Sequence, residues 1–263
     1  MDKQLSRLLA VAIGIALLTA VAAVAKPKDT PRTEKFEVGN IVATDHGGIS
    51  PEALPRQGQA PISGHIHARF STKDGSHLPA IRRLTIDFDR TLQVNAKGLS
   101  ACSAADLTAR TTAAAKRACP DAIVGAGSGE VEIAFPEQAP IMVKSPLLAF
   151  NGGVHGGKTI LFVHAYINVP TPSAVVAEAQ ITNVHDGHYG MHTVTKVPRI
   201  AGGAGSVTRV DLNLGRRFTY KGRPASYLTA SCPTGTYFIK GQLDFDDGTA
   251  LDIAHVFPCT PKG

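Results

Sequence analysis

Ile62-Ser-Gly-His-Ile-His-Ala-Arg-Phe-Ser71 is the stretch from which the fold is read. Ile62, Gly64, Ile66, Ala68 and Phe70 alternate with Ser63, His65, His67, Arg69 and Ser71. A period of two places one set on each side of an extended chain, as in a strand with one apolar and one wet face. Working outward, similar runs recur at Ile81–Asp89, Glu130–Phe135, Leu147–Phe150, Thr159–Val169, Val175–Val184, Tyr189–Val197, Ser206–Leu214, Arg217–Tyr220, Tyr237–Phe245 and Thr249–Phe257. Several are rich in Val, Ile, Thr, Phe and Tyr, the residues that suit a pleated, half-buried surface. Asp74-Gly75, Asp186-Gly187 and Asp247-Gly248 stand between such runs, and Asp-Gly suits the positive φ angles of tight hairpins. The pattern predicts a mainly β chain, an antiparallel β-sandwich of jelly-roll-like form with one short helical insertion, built as a single domain over residues 36–263.

The insertion is Ser103 to Ala118, an Ala-rich run that opens with Ser103 and Asp106 and ends with Lys116 and Arg117. A capping serine, an acid near the start and bases near the end suit a helix and its dipole. Cys102 and Cys119 bracket it. A single helix of that length would be about 24 Å long, too far for its ends to be bridged. Either the helix is shorter and folds back near Thr111-Thr112, or these two cysteines are not partners.

The chain has 263 residues, 43% hydrophobic and 18% charged, with a formal charge of +6. It is neither disordered nor collagenous, and it is long enough to bury a core. Aromatics make up only 6% and there is no Trp, which argues against sites that need stacking platforms. Lys3 and Arg7 precede an apolar stretch from Leu8 to Ala25 that ends Ala23-Val24-Ala25. This is the layout of a signal peptide over residues 1–25, cut after Ala25; the alternative is an uncleaved anchor, since about 18 apolar residues can just span a bilayer. Residues 26–35 are polar and Pro-rich, a flexible leader. The chain is therefore expected to be secreted, periplasmic or extracellular. In an oxidising compartment, Cys102, Cys119, Cys232 and Cys259 are read as two disulfides. Cys102–Cys119 and Cys232–Cys259 are favoured because each closes a short local loop, worth about 3 kcal/mol in the chain-entropy account. Zinc would need a Cys-x-x-Cys or Cys/His knuckle spacing, which the chain lacks.

The order of features adds a resemblance. Leu54-Pro55-Arg56 runs on to Ala60-Pro61, and Asp74-Gly75-Ser76-His77 on to Pro79-Ala80. Cys119-Pro120 leads into Gly125 and Gly127, followed by Phe150-Asn151-Gly152. Ser226-Tyr227 precedes Cys232-Pro233, and Asp247-Gly248-Thr249 precedes Cys259. Together these resemble a family of exported bacterial proteins, frequent in actinobacteria, with four cysteines and no assigned activity. The resemblance covers most of the chain after the leader. It implies export and disulfides, and it brings no catalytic residue and no cofactor.

Several short motifs carry a possible chemistry. Gly152-Gly-Val-His-Gly-Gly157-Lys158-Thr159 matches the phosphate-loop pattern letter for letter. A phosphate loop must open a helix, whereas Ile160 to Val169 reads as a strand, so a glycine hairpin with a solvated Lys158 is expected and no nucleotide. His65 and His67 share one strand face, with no carboxylate before Asp74 to complete a metal site; His185, His188 and His192 form a run that fits a decorated hairpin, since an extended His188–His192 would set those two about 13 Å apart, and weak divalent binding by His185 and His188 across the turn is the remaining alternative. Asp244-x-Asp246-Asp247-Gly248 lacks the downstream Glu of a calcium loop and reads as a turn. No Gly-x-Ser-x-Gly elbow occurs; Gly202-Gly-Ala-Gly-Ser206 misses it. Arg216-Arg217-Phe218-Thr-Tyr220-Lys221-Gly-Arg223 interleaves cations with aromatics, and with Arg82-Arg83 would form a basic face for anionic envelope polymers or lipid headgroups. The alternative for Arg216, Arg217, Tyr220, Lys221 and Arg223 is an edge strand guarded by charge. Nucleic acid is not expected, given export and a mild charge. The function expected is a non-catalytic binding or structural module. The alternative is an extracytoplasmic hydrolase or metal-dependent enzyme using some of His65, His67, His77, His155, His164, His185, His188 and His192.

Overall fold

The computed structural model describes residues 33–136 and 138–263. The signal peptide expected over residues 1–25 and most of the flexible leader expected over 26–35 lie outside the described residues. In chain order the elements begin with β1 (Glu34–Val38), β2 (Ile41–Ser50), β3 (Ala53–Pro55), β4 (Ala60–Thr72), β5 (Ile81–Asp89) and β6 (Leu92–Val94). Helices α1 (Ala104–Leu107) and α2 (Thr112–Ala118) follow. Then come β7 (Ile123–Ile133), β8 (Ile141–His155), β9 (Lys158–Ile167), β10 (Ser173–Asp186), β11 (Tyr189–Lys196) and β12 (Gly205–Leu214). The chain ends with β13 (Arg217–Tyr220), β14 (Arg223–Ser226), β15 (Leu228–Ala230), β16 (Thr236–Phe245), β17 (Ala250–Pro258) and β18 (Thr260–Lys262).

Twelve strands form one antiparallel path, in the order β1-β2-β4-β12-β7-β8-β9-β10-β11-β5-β16-β17. The β class matches the sequence expectation. The two separate sheets of a sandwich or jelly roll are not seen: one sheet curls until it is nearly closed into a barrel-like shape. Long strands explain the difference, since β4 has 13 residues, β8 15 and β10 14. Register shifts interrupt the β7–β8, β8–β9, β12–β7 and β10–β11 ladders, and such bulges add twist that turns a sheet back on itself. No backbone ladder joins β1 to β17 among the described residues. Side chains close that seam: the Phe36 and His255 rings meet edge to face at 5.0 Å.

The alternation in β4 serves this curl. Ile62 and Ile66 pack with Leu147, Leu161, Ile181 and Leu212 in the largest apolar cluster. Phe70 joins Ile41, Leu243 and Leu251 in another. At the start of β4 a small cap forms: β15 pairs with β4 and β6, and β18 runs parallel to β3. The Cys232–Cys259 disulfide ties the cap together, and Tyr227, Cys232 and Cys259 are buried in the main cluster. Gly127 marks a close approach, because a Cβ there would run into the Asp211 carbonyl of β12.

β4 and β5 are not neighbours in the path, so residues 73–80 must cross between them. Leu78 on this crossing is 2% exposed and packs with Ile41 and Leu251. Asp74-Gly75 is therefore not a hairpin turn, unlike the other two Asp-Gly pairs, which do join adjacent strands. The Asp74 carboxylate instead accepts bonds from Asn40 and the Ser76 amide, which hold it well below the usual carboxylate range.

The helical insertion folds back on itself. Ser103 and Asp106 form a capping box on α1, and Thr111 caps α2 by accepting from the Ala114 amide. Between them Ala109 takes φ 58°. The break brings Cys102 and Cys119 within 5.8 Å (Cα–Cα), and they are bonded. Both disulfides are thus the local pairs favoured from the sequence, and they fit an oxidising environment. Leu107 and Ala115 bury their helices against Leu148, Phe150, Ile160 and Phe162 of β8 and β9.

Candidate functional site

Glu132 of β7 and Ser206 of β12 are cross-strand partners, and the 73–80 crossing lays His77 over them. His77 Nδ1 lies 2.5 Å from Glu132 Oε1, and His77 Nε2 lies 3.3 Å from Ser206 Oγ. This is the connectivity of a serine–histidine–carboxylate relay. Ser206, however, is 1% exposed, and its hydroxyl donates to the Leu78 carbonyl at 2.5 Å. A nucleophile needs its proton aimed at the histidine and its oxygen open to substrate. Here the proton goes to the backbone of the crossing, and the oxygen is covered by it. In this geometry the three residues act as a clasp that holds residues 77–78 onto the sheet.

The outer face of β2, β4 and β12 carries a second set. His46 and His67 are cross-strand partners with rings stacked at 4.7 Å. His67 Nδ1 lies 3.2 Å from Asp211 Oδ2, and Arg69 Nε donates to His67 Nε2 at 3.3 Å. The bond from His67, with help from Arg209, holds the Asp211 carboxyl below its ordinary value. Arg209 also reaches Glu130. His65 lies against Gly48, where a Cβ would meet its ring. On this face His67, Asp211, Arg69, Arg209 and Glu130 are bound to one another.

The glycine motif forms the turn expected of it. Gly156 and Gly157, at φ 55° and 76°, connect β8 to β9 with His155 opposite Lys158. No helix opens there, His155 bonds the Gly152 carbonyl, and Lys158 Nζ donates to Gln180 Oε1 at 2.9 Å. A shallow cleft of about 420 Å³ beside it is lined by His155, Lys158, Glu178 and Gln180. His185 and His188 flank the β10–β11 turn, but they do not converge: His188 packs on the Phe238 ring at 4.4 Å, and His192 pairs with Asp87 at 2.6 Å. Asp246 of the acidic turn bonds the Ala80 amide and Arg82. Among the described residues the one group of three potential metal ligands whose ligand atoms all lie within 4.8 Å of one another is Cys102, Asp106 and Cys119; its two sulfurs are bonded to each other, so it offers no thiolate.

The basic stretch forms its own hairpin, β13 with β14. Arg217, Lys221 and Arg223 are exposed on it, and Tyr220 packs over Gly98. Arg216 is spent elsewhere, donating to the Ile123 and Pro120 carbonyls and reaching Asp121. Arg82 and Arg83 do not join this face. They sit at the start of β5 beside Asp244 and Asp246, whereas the hairpin lies near the β4 start, where Gly215 packs on Ser63.

No protein family, curated protein or solved structure matches the chain. The fold and the site geometry therefore stand by themselves.

Two buried histidines complete the inventory. His164 of β9 donates from Nε2 to the Arg110 carbonyl at 3.0 Å, satisfying the break between α1 and α2. His255 of β17 lies 3.1 Å from Glu34 and 3.0 Å from Asp45, joining both of the first two strands across the seam. Glu132, Ser206, Asp211, Glu34, Asp45 and His255 carry no signal in the sequence, because register and crossing alone bring them together.

Proposed function

We propose that this chain is an exported, non-catalytic binding or structural module of the cell envelope or extracellular space, made with a signal peptide removed after Ala25 and belonging to the exported four-cysteine group it resembles. Two disulfides support the oxidising compartment. The non-catalytic part rests on one observation: the serine in a relay arrangement is buried and gives its proton to Leu78 rather than to His77. Arg217, Lys221 and Arg223 supply a small exposed basic edge for an anionic polymer or headgroup, an attraction that salt screens.

A second reading follows from the same three residues. If residues 77–80 lift away, His77, Glu132 and Ser206 have the order needed for an extracytoplasmic hydrolase. One experiment separates the two. The protein is recovered from the medium or periplasm, its N-terminus is determined by mass spectrometry, and it is treated with a fluorophosphonate probe. The module reading expects a start at Lys26 and no labelling. Labelling that disappears in Ser206→Ala establishes the hydrolase, and a full-length cytosolic chain removes the export reading.

A further inference from the structure

The end of the sheet that carries the β13–β14 hairpin gathers cations from three parts of the chain. Arg216 donates to the Ile123 carbonyl at 2.9 Å and reaches the Pro120 carbonyl and Asp121, which ties the start of the hairpin to the turn that follows α2. The Cys102–Cys119 disulfide anchors that turn. Tyr220 packs over Gly98, so the hairpin tip lies beside Lys97. These contacts bring Lys97, Lys116, Arg117, Arg217, Lys221 and Arg223 to one end, and all six are exposed. No described carboxylate lies within ion-pair distance of any of them. Asp121 is held by Arg216, and Asp106 on α1 is taken up by the Ser103 hydroxyl at 2.6 Å. Residues 97, 116–121 and 216–223 hold seven cations against Asp121 alone, an excess equal to the formal charge of +6 of the entire chain. The charge is mild overall but concentrated here.

From these observations we infer that this end binds a linear phosphate-bearing polymer, laid from Lys116 and Arg117 across the hairpin to Lys97. The cations are spread over three segments, so one small anion meets only one or two of them, whereas a chain of charges meets all six at once. Guanidinium forks match phosphate oxygens in pairs, and Arg117, Arg217 and Arg223 supply three. A bilayer is the weaker fit. Binding to a lipid surface adds buried apolar area to charge, and the described large hydrophobic residues most open to solvent, Met142, Val154, Val169 and Val256, all lie outside these segments. The inference deepens the binding half of the proposed function, choosing the polymer over the headgroup, and it rests on that reading.

The test uses the secreted, disulfide-bonded chain, with long-chain inorganic polyphosphate as the probe and calorimetric titration as the measurement. Binding should saturate and should weaken about a hundredfold between about 50 and about 200 mM salt, as neutralising about five charges of a flexible polyanion requires. Lys116→Gln with Arg117→Gln, on α2 rather than on the hairpin, should weaken polyphosphate about tenfold, and Arg217→Gln with Arg223→Gln about as much. Arg83→Gln with Lys196→Gln removes the same charge from exposed cross-strand partners at the start of β5 and should change binding less than about twofold, because salt screens charges that far away. Each variant should keep the wild-type melting temperature, so that a loss of binding reads the surface and not the fold. Absence of saturable binding, or an equal loss from all three pairs, overturns the inference. Tighter binding to phosphatidylglycerol vesicles or to an oligothymidylate than to polyphosphate also overturns it. Such a failure leaves the module reading intact as long as the fluorophosphonate experiment shows no labelling; labelling at Ser206 overturns that reading whatever polyphosphate does.

Discussion

His164 and His255 are both buried on barrel strands, and their surroundings push them in opposite directions. Under the helical insertion, His164 meets a backbone carbonyl, and burial lowers its pKa below the ordinary histidine value. At the seam, burial also opposes charge on His255, but the bonds and charges of Asp45 and Glu34 outweigh it and the net shift is upward. Phe36 and Phe257 flank the same ring and add no charge. The partner, not the depth of burial, sets the protonation state. Linkage then gives opposite pH responses. His255 is raised, so its contribution is full below the unfolded-state pKa and is lost as pH rises through the folded value. His164 is lowered, so its contribution is full above the unfolded-state pKa and is lost as pH falls. Acid should loosen the helical insertion and alkali the seam.

The largest effect should come from breaking the seam. His255→Ala leaves Glu34 and Asp45 facing each other without a cation, and should cost about 3 kcal/mol at pH 6 by denaturant unfolding. That loss should shrink as pH rises and the wild-type histidine gives up its proton; a loss that stays constant as pH rises would remove the charged clasp. His164→Ala should come next, at about 2 kcal/mol, from a cavity and an unpaired Arg110 carbonyl. Amide protection of residues 104–118 should fall in the wild type as pH falls through the lowered His164 value, and that step should be missing in the variant. Equal acid sensitivity in both would show that His164 is not what responds.

A third histidine sharpens the comparison. His77 is partly exposed, so the clasp it shares should be held more by the buried serine. Ser206→Ala should cost about 1 kcal/mol through the lost bond to Leu78, and His77→Ala less than that. The smallest change is expected at Lys158→Ala, within about 0.5 kcal/mol, because its bond to Gln180 lies at the surface. A larger loss, or loss of a bound nucleotide, would reopen the phosphate-loop match.

Much of the sheet was readable from periodicity. Ile81–Asp89 and Arg217–Tyr220 were placed with the bounds the structure gives. β1 and β2 were not found, because Thr44-Asp-His-Gly-Gly48 has the composition of a turn. The first half of β7 was passed over for a similar reason: Gly125 and Gly127 weaken a strand pattern, yet they are there because β12 comes too close for a side chain. The candidate sites were less legible still. The basic hairpin was visible as a run, but the diversion of Arg216 into carbonyl bonds was not.

By itself the sequence determined the local properties: extended chain with one apolar face, the caps of two short helices, and two cysteine pairs close enough along the chain to meet. These follow from neighbours a few residues apart, where sterics and side-chain period decide. Only the tertiary structure decided that one sheet curls on itself rather than two sheets stacking, since either arrangement buries the same alternating face. It likewise decided which histidine meets a carbonyl and which meets two carboxylates. Those outcomes depend on strand order and on a crossing between strands that never touch, and no short-range pattern encodes them.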